Sequence, residues 1–193
     1  MRLSILNRGY SPGTKVLFAL IRLFSGHPIP DAARIVFYRP DFYGTHMKEF
    51  THQAMRGPSA WSVGDRELMA AYVSKVNESA FCIGAHSATT ARAYRDVTLP
   101  GAVLADLEAA PIQEPLRATL RMLGKLTREG TLSGEDMRAV LGAGVSRQQI
   151  EDALAVCFAF STTNRLADTF GFEVLSPKAF DAGAKYLLSR GYR

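Results

Sequence analysis

Cysteine is scarce in this sequence: only Cys82 and Cys157 occur among 193 residues. Two cysteines do not make a disulfide framework, so both are expected to be reduced thiols. The four histidines show no zinc-ligand spacing with these cysteines. A chain of this length can bury most of its apolar surface, so we expect it to fold without disulfide bonds or a metal site.

Long apolar runs are also missing near the N-terminus. The run VLFALI, at residues 16–21, is interrupted by Arg22. A transmembrane helix needs about 20 apolar residues, and a signal peptide needs a cleaner apolar segment followed by a small-residue cleavage site. The sequence therefore predicts a cytoplasmic protein with no membrane partner.

Basic residues do not cluster in runs interleaved with aromatic residues. The formal net charge is +5, which is modest for this length. Proteins that bind nucleic acids usually concentrate Lys and Arg on one face or along one helix. We predict no nucleic-acid partner. The hydrophobic fraction of 47% and the charged fraction of 21% are typical of an ordinary globular protein.

Strand-like alternation is scarce, whereas helical spacing of apolar residues recurs along nearly the whole chain. Capping residues, apolar residues at three- and four-residue spacing, and then Gly or Pro follow one another repeatedly. The predicted helices span about 11–24, 30–39, 42–55, 62–76, 80–94, 102–109, 114–128, 133–141, 146–169 and 177–189. We predict an all-α fold, with an N-terminal helical segment (1–40) packed on a helical domain (41–193).

The predicted helix over residues 146–169 has an unusual middle. Ser146 and Gln149 resemble a capping box at its start. The stretch ALAVCFAFS, at 153–161, is apolar on every side. A helix of this kind is usually buried in a core or in contact between subunits. We therefore expect a homo-oligomer.

The segment ESAFCIGAHSATT, at residues 78–90, carries a thiol and an imidazole four residues apart. Cys82 and His86 lie on one helix face if the predicted helix forms. With Ser79 as the cap, Cys82 falls in the first helical turn, where the helix dipole favours thiolate. The pair could attack an electrophile such as a peroxide. A buried apolar cysteine beside a structural histidine is the alternative interpretation.

Glu67 lies fifteen residues before Cys82, on the preceding predicted helix. Because a short break at 77–79 joins the two helices, an antiparallel pair would place Glu67 level with His86. A carboxylate beside an imidazole fixes its tautomer and raises its basicity. Glu67, His86 and Cys82 can then act as orienting group, proton carrier and nucleophile. The alternative for Glu67 is a first-turn glutamate that interacts with its own helix dipole.

The run SVGDRELMAAYVSKVNESAFCIGAHSATT resembles the core of the AhpD-like alkylhydroperoxidase / carboxymuconolactone decarboxylase superfamily. Peroxidase members carry a glutamate on one helix and C-x-x-C-x-x-x-H on the next. Glu67, Cys82 and His86 match the glutamate, the second cysteine and the histidine. The segment FSTTNRLADTFGFE, at 160–173, is similar to one in peroxidase-related members. The resemblance covers roughly residues 30–190, and it implies an AhpD-like helical fold and subunit association.

The sequence departs from the superfamily pattern at the first motif cysteine, where Ser79 stands, and at a frequent histidine, where Phe81 stands. Ser79 cannot form the disulfide that completes the two-cysteine cycle. Cys82 could instead be oxidised to a sulfenic acid and rescued by an external thiol. Resolution by Cys157 would need the two Cα atoms to lie within about 7 Å.

The resemblance thus favours a peroxidase-related antioxidant enzyme with one redox cysteine, acting on a small peroxide without a cofactor. Cys82, His86 and Glu67 are the predicted catalytic residues. One alternative is a decarboxylase-like lyase for a small lactone acid, in which His86 and Glu67 do acid–base chemistry. That lyase would need Arg92 or Arg95 to turn inward and hold carboxylates. A non-catalytic member of the superfamily is the other alternative.

Overall fold

Helices make up the regular structure of the computed structural model, which describes residues 1–2 and 4–192. No strand occurs in that part of the chain, so the predicted all-α class is confirmed. A π-helical turn, Pro40–Gly44, precedes the fourth helix. The helices are α1 (Ile5–Arg8), α2 (Pro12–Ser25), α3 (Asp31–Tyr38), α4 (Thr45–Arg56), α5 (Val63–Val76), α6 (Ala80–Tyr94), α7 (Leu99–Ala105), α8 (Glu114–Glu129), α9 (Gly134–Gly142), α10 (Arg147–Phe170) and α11 (Pro177–Arg190).

The α5–α6 hairpin is the part of the fold that positions the predicted site. Helix α5 starts with a capping box in which Ser62 Oγ accepts from Asp65 N and Asp65 Oδ2 accepts from Ser62 N. Asn77 ends the helix, and Glu78 adopts a left-handed backbone with φ of 58°. This reversal lets α6 begin at Ala80 and run back against α5, as the sequence break predicts.

Helix α10 packs against α4, α5 and α8 and supplies much of the core. Its predicted capping box is confirmed, because Ser146 Oγ accepts from Gln149 N at 3.2 Å and Ser146 N donates to Gln149 Oε1 at 3.0 Å. Gly171 ends the helix in a left-handed conformation. Neither α10 nor any other helix in the described ranges is apolar over a length that would span a membrane.

Helix α11 approaches α6 closely at Gly84. A Cβ atom at this position would lie 2.5 Å from Cε2 of Phe180, so glycine is what lets the phenyl ring pack on the α6 backbone. The same ring contacts Phe81, with centroids 5.8 Å apart. This contact brings the C-terminal end of the chain towards the α5–α6 hairpin.

Two clusters of buried apolar side chains form the core. The larger cluster joins α4, α5, α7, α8, α9 and α10. The smaller one surrounds Cys82 and includes Phe81, Ala167 and Ile35, the last from α3. Arg2 N also donates to Phe170 O at 2.6 Å. The N-terminal segment therefore contacts the side of the molecule on which Cys82 lies.

Three helices differ from the predictions. The predicted span of 102–109 is wrong at both ends, because the helix there, α7, begins at Leu99 and ends at Ala105. Pro100 lies in its first turn, where a proline costs no hydrogen bond. Helix α4 begins at Thr45 rather than near residue 42, since the π-helical turn occupies residues 40–44. Helix α1 has no counterpart among the predicted helices.

Candidate active site

Glu67 is fully buried between α5 and α6. Its Oε2 atom lies 2.8 Å from Nδ1 of His86, so the structure brings these two predicted residues together. A carboxylate only accepts hydrogen bonds, which places a proton on Nδ1 and leaves Nε2 for proton exchange. Glu67 is the fifth residue of α5, and Asp65 makes the cap of that helix. The alternative interpretation of Glu67, as a first-turn glutamate that interacts with its own helix dipole, is therefore wrong.

The second oxygen of Glu67 has two partners that the sequence did not reveal. Arg56 Nη2 donates to Oε1 at 2.6 Å, and the hydroxyl of Tyr192 donates to the same atom at 2.9 Å. The Arg56 guanidinium also lies over the Tyr192 ring, 5.1 Å from its centroid. Arg56 comes from the end of α4 and Tyr192 from the residues after α11, so three distant parts of the chain meet at one carboxylate.

These partners decide the charge of Glu67. Burial by itself raises the pKa of the carboxyl group, but the hydrogen bond and charge of His86, together with Arg56, outweigh it. The pKa of Glu67 therefore lies below its ordinary value of 4.5. At neutral pH the site holds an ionised carboxylate that orients the His86 ring.

The His86 ring is held from its other side by an aromatic contact. Phe160 of α10 packs edge-on against it, with ring centroids 4.2 Å apart. The ring is 5% exposed. Packing and the Glu67 bond thus fix the imidazole in one orientation.

Cys82 lies in the first turn of α6, as predicted, and is 1% exposed. The expected preference for thiolate is wrong. Burial raises the pKa of the thiol to about 12, and the hydroxyl of Ser79 offsets only part of this while the charge of Asp168 adds to it. Loss of hydration outweighs the helix dipole here because a buried thiolate has few water contacts.

Ser79 occupies the N-cap position of α6, but its side chain does not cap the helix. The hydroxyl instead donates to Asp168 Oδ1 of α10 at 2.9 Å. The prediction that Ser79 is the N-cap residue of α6 is therefore confirmed, but its side chain does not make the hydrogen bond expected of a cap.

Two contacts fix how α10 lies along α6. Phe160 meets His86, and Asp168 meets Ser79. Asn164 lies midway between these α10 residues and is therefore level with Cys82. It is fully buried, and its Oδ1 atom lies 3.1 Å from Ser74 Oγ. Its Nδ2 atom has no hydrogen-bond partner within the described residues.

Cys157 lies in a different environment from Cys82. It belongs to the larger core cluster, and its sulfur lies 3.6 Å from Thr127 Oγ1 of α8. Along α10 it is seven residues from Asn164, which corresponds to about 10 Å at 1.5 Å per residue. This offset exceeds the Cα separation of about 7 Å that a disulfide allows. The geometry does not favour Cys157 as a resolving thiol.

Arg92 and Arg95, the two arginines that a lyase would need, do not reach Glu67 and His86. Arg92 makes a two-point ion pair with Asp181 on α11, with Nη2 2.7 Å from Oδ2. Arg95 is exposed at the C-cap of α6. Neither arginine therefore meets the condition that the lyase alternative sets. In the described part of the chain, no group of three or more His, Cys, Asp or Glu side chains is arranged to hold a metal ion.

The structure is similar to solved proteins despite low sequence identity. An uncharacterized peroxidase-related protein from Silicibacter sp. TM1040 superposes with a TM-score of 0.79 over 93% of both chains, at 21% identity. An uncharacterized peroxidase-related protein from Ralstonia eutropha JMP134, described as an alkylhydroperoxidase AhpD core, matches with a TM-score of 0.76 over 91% of both chains, at 20% identity. This chain has the AhpD-like fold.

A debrominase also has a similar structure. A cysteine-to-alanine variant of the debrominase Bmp8, in complex with 2,3,4-tribromopyrrole, superposes with a TM-score of 0.70 at 13% identity. The match covers 88% of this chain and 89% of that one. No protein-family model matches the sequence, and neither does any curated protein. The structural matches confirm the predicted fold.

Proposed function

We propose that this AhpD-like protein is a peroxidase-related enzyme with Cys82 as its single redox cysteine and His86 and Glu67 as a proton relay. One observation carries the proposal: the 2.8 Å contact between buried Glu67 and His86, one helical turn beyond Cys82. The carboxylate holds the imidazole in the tautomer whose Nε2 is free to accept a proton. A proton carrier beside a thiol needs such a free nitrogen.

The reaction transfers one oxygen atom to Cys82. The thiol proton passes to Nε2 of His86 as the sulfur attacks one oxygen of a hydroperoxide, ROOH. The O–O bond breaks, the sulfur is oxidised to a sulfenic acid, and the peroxide is reduced to RO⁻. His86 then returns the proton to RO⁻, which leaves as ROH. The balance needs no cofactor.

The high pKa of Cys82 explains why a relay is needed. With a pKa of about 12, very little free thiolate exists at neutral pH. Proton removal therefore has to accompany the attack on the peroxide rather than precede it.

An external thiol completes the cycle in this proposal. It attacks the sulfenic acid, water leaves, and a mixed disulfide forms on Cys82. A second external thiol then releases Cys82 as a thiol and carries away the disulfide. Ser79 cannot replace this reductant, because a hydroxyl forms no disulfide, and the distance estimated for Cys157 is too large.

The two alternatives have less support. A lactone lyase would need cations beside His86 to hold the substrate carboxylates, but Arg92 is paired with Asp181 and Arg95 is exposed. Arg56 is near, but its charge is matched by Glu67. A non-catalytic protein would not need the buried carboxylate and imidazole to meet beside a thiol.

Peroxide consumption with dithiothreitol as the reductant tests the proposal. Cys82→Ser should abolish turnover of cumene hydroperoxide. His86→Asn should slow it by at least about 100-fold, which is the usual contribution of a positioned acid–base group. Cys157→Ser is the matched control and should retain the wild-type rate.

Full turnover by the Cys82→Ser variant would overturn the proposal. Lactone decarboxylation that survives this substitution would favour the lyase. A wild-type protein that consumes no peroxide with any thiol reductant tested would favour the non-catalytic alternative.

A further inference from the structure

A hydroxyl and a carboxylate, those of Ser79 and Asp168, lie beside Cys82 at the start of α6, on the side of the thiol away from His86. Ser79 is three residues before Cys82, so the two side chains share a helix face. Its Oγ donates to Asp168 Oδ1 at 2.9 Å. Ser79, Asp168 and Cys82 therefore form a contiguous group of side chains at the contact between α6 and α10.

The hydrogen bonding of Ser79 is unusual for its position. A serine at an N-cap normally accepts from the backbone N–H of the second or third helical residue, and the third residue here is Cys82 itself. Ser79 makes no such bond. Its hydroxyl is available to the Cys82 sulfur, and it lowers the pKa of that thiol against the larger effect of burial.

Access to solvent differs sharply along this group. Cys82 is 1% exposed and Ser79 is fully buried, whereas Asp168 is exposed. On the other side of the thiol, Glu67 is fully buried and His86 is 5% exposed. Asp168 is thus the carboxylate through which a proton from this thiol can reach water.

We infer that Ser79 and Asp168 form a second proton relay, in which Asp168 acts as a general base for the Cys82 thiol through the Ser79 hydroxyl. The thiol proton moves to Ser79 Oγ while the Ser79 proton moves to Asp168 Oδ1. Asp168 then releases its proton to water. The inference rests on the proposed function only in taking Cys82 as the nucleophile.

Alkylation by iodoacetamide isolates this step, because it needs no peroxide. The sulfur forms a bond to the CH₂ carbon, iodide leaves, and the thiol proton goes to solvent. The rate is measured in a Cys157→Ser background, so that Cys82 is the only thiol. Asp168→Asn is close to isosteric and should slow alkylation by about 100-fold, the low end for a positioned general base.

The opposite result is expected if Asp168 acts only through its charge. That charge raises the pKa of the thiol, so its removal would then produce more thiolate and faster alkylation. Faster or unchanged alkylation in Asp168→Asn would overturn the inference. Glu151→Gln, an exposed carboxylate near the start of the same helix, is the control and should leave the rate unchanged.

Ser79 provides an independent check if Asp168→Asn folds poorly. Ser79→Ala should slow alkylation by a similar factor, and Ser79→Thr, which keeps the hydroxyl, should restore most of the rate. The wild-type reaction should be slower in D₂O, and Ser79→Ala should lose this isotope effect. An isotope effect that persists in Ser79→Ala would contradict the relay.

The two proposals can fail separately. A protein that consumes no peroxide but shows these alkylation effects would lack the proposed function and retain the relay. A peroxidase whose alkylation is faster in Asp168→Asn would have the proposed function without the relay.

Discussion

Glu67 is the residue to which the other polar side chains of the site, His86, Arg56 and Tyr192, are hydrogen-bonded. Both of its oxygens are occupied, one by His86 and the other by Arg56 and Tyr192. The Arg56 side chain is only 10% exposed and Glu67 is fully buried. In this ion pair each charge therefore depends on the other to offset its loss of hydration. Removing one member of a buried ion pair destabilises a protein by more than the intact pair stabilises it, because the other charge is left buried and unpaired.

Glu67→Gln should lower the free energy of unfolding at pH 7 by about 3–5 kcal/mol, since it leaves Arg56 buried without an anion. The folded-state pKa of Glu67 lies below 4.5, so its stabilisation is present above that pH and is lost as the pH falls through the folded-state pKa. Urea unfolding of both proteins should therefore show the difference narrowing on acidification.

The control for this measurement is Glu151→Gln, an exposed carboxylate that should change stability by less than about 0.5 kcal/mol. A difference between wild type and Glu67→Gln that stays constant or grows below pH 4.5 would contradict the ionised state assigned to Glu67.

Local spacing made part of the site predictable. Cys82 and His86 are one helical turn apart on α6. Glu67 lies on the preceding helix, which a break of three residues joins to α6, so the geometry of a helical hairpin sufficed to predict that Glu67 meets His86. Arg56 and Tyr192 lie 11 and 125 residues from Glu67. A buried glutamate implies a cation, but the chain offers 23 Lys and Arg residues, and no local pattern selects one of them.

At the scale of secondary-structure elements, the helices packed around the first turn of α6 set the pKa of the Cys82 thiol. The sequence correctly places Cys82 in this turn, but position alone does not set the pKa. The partial charge of a helix end acts in competition with desolvation, and burial depends on α3, α10 and α11, which pack around Cys82. That competition could not be read from the helix alone.

Ser79→Cys should restore a two-cysteine cycle in the first turn of α6. Residues three apart at a helix start have Cα atoms about 5–6 Å apart, within the range of a disulfide. In a Cys157→Ser background, one equivalent of hydroperoxide should give a disulfide between residues 79 and 82. Mass spectrometry would detect it as the loss of two hydrogens.

A stable sulfenic acid on Cys82 in the Ser79→Cys variant, with the new thiol still free, would show that the two sulfurs cannot meet. The protein that retains Ser79, treated identically, is the control and should form no intramolecular disulfide.

At the scale of the whole molecule, α2 and α10 each expose large apolar side chains. On α2, Val16, Leu23 and Phe24 are 60%, 75% and 84% exposed. On α10, Phe158 is 61% exposed and stacks edge-on against Phe50 of α4, with centroids 5.2 Å apart. Exposed apolar clusters of this kind are typical of surfaces that contact another protein.

We expect the protein to form a homo-oligomer through at least one of these surfaces. Light scattering after size-exclusion chromatography should give a mass of two or more times 21.1 kDa, the mass of one chain. Phe158→Lys and Leu23→Lys, made separately, should identify the surface by reducing that mass. Val97→Lys, at a residue that is 86% exposed on the loop after α6, is the control. A monomer at micromolar concentration would contradict the expectation.

The helical class and most helix spans could be predicted, because capping residues and glycines mark helix ends locally. Packing was harder to predict. Every residue of α5 from Arg66 to Ala71 is buried, so this part of the helix is covered on all sides. An apolar stripe on one side of the helix therefore does not show which side meets α6. The AhpD-like arrangement came from the resemblance in Glu67, Cys82 and His86 rather than from periodicity.

Trapping the oxidised cysteine shows whether Cys82 is the residue that reacts with peroxide. The wild-type protein is treated with one equivalent of cumene hydroperoxide in the presence of dimedone, which labels sulfenic acids, and the modified residue is located by peptide mass spectrometry. We expect an adduct on Cys82 and none on Cys157. Peroxide consumption with Cys82 unmodified, or an adduct confined to Cys157, would contradict it.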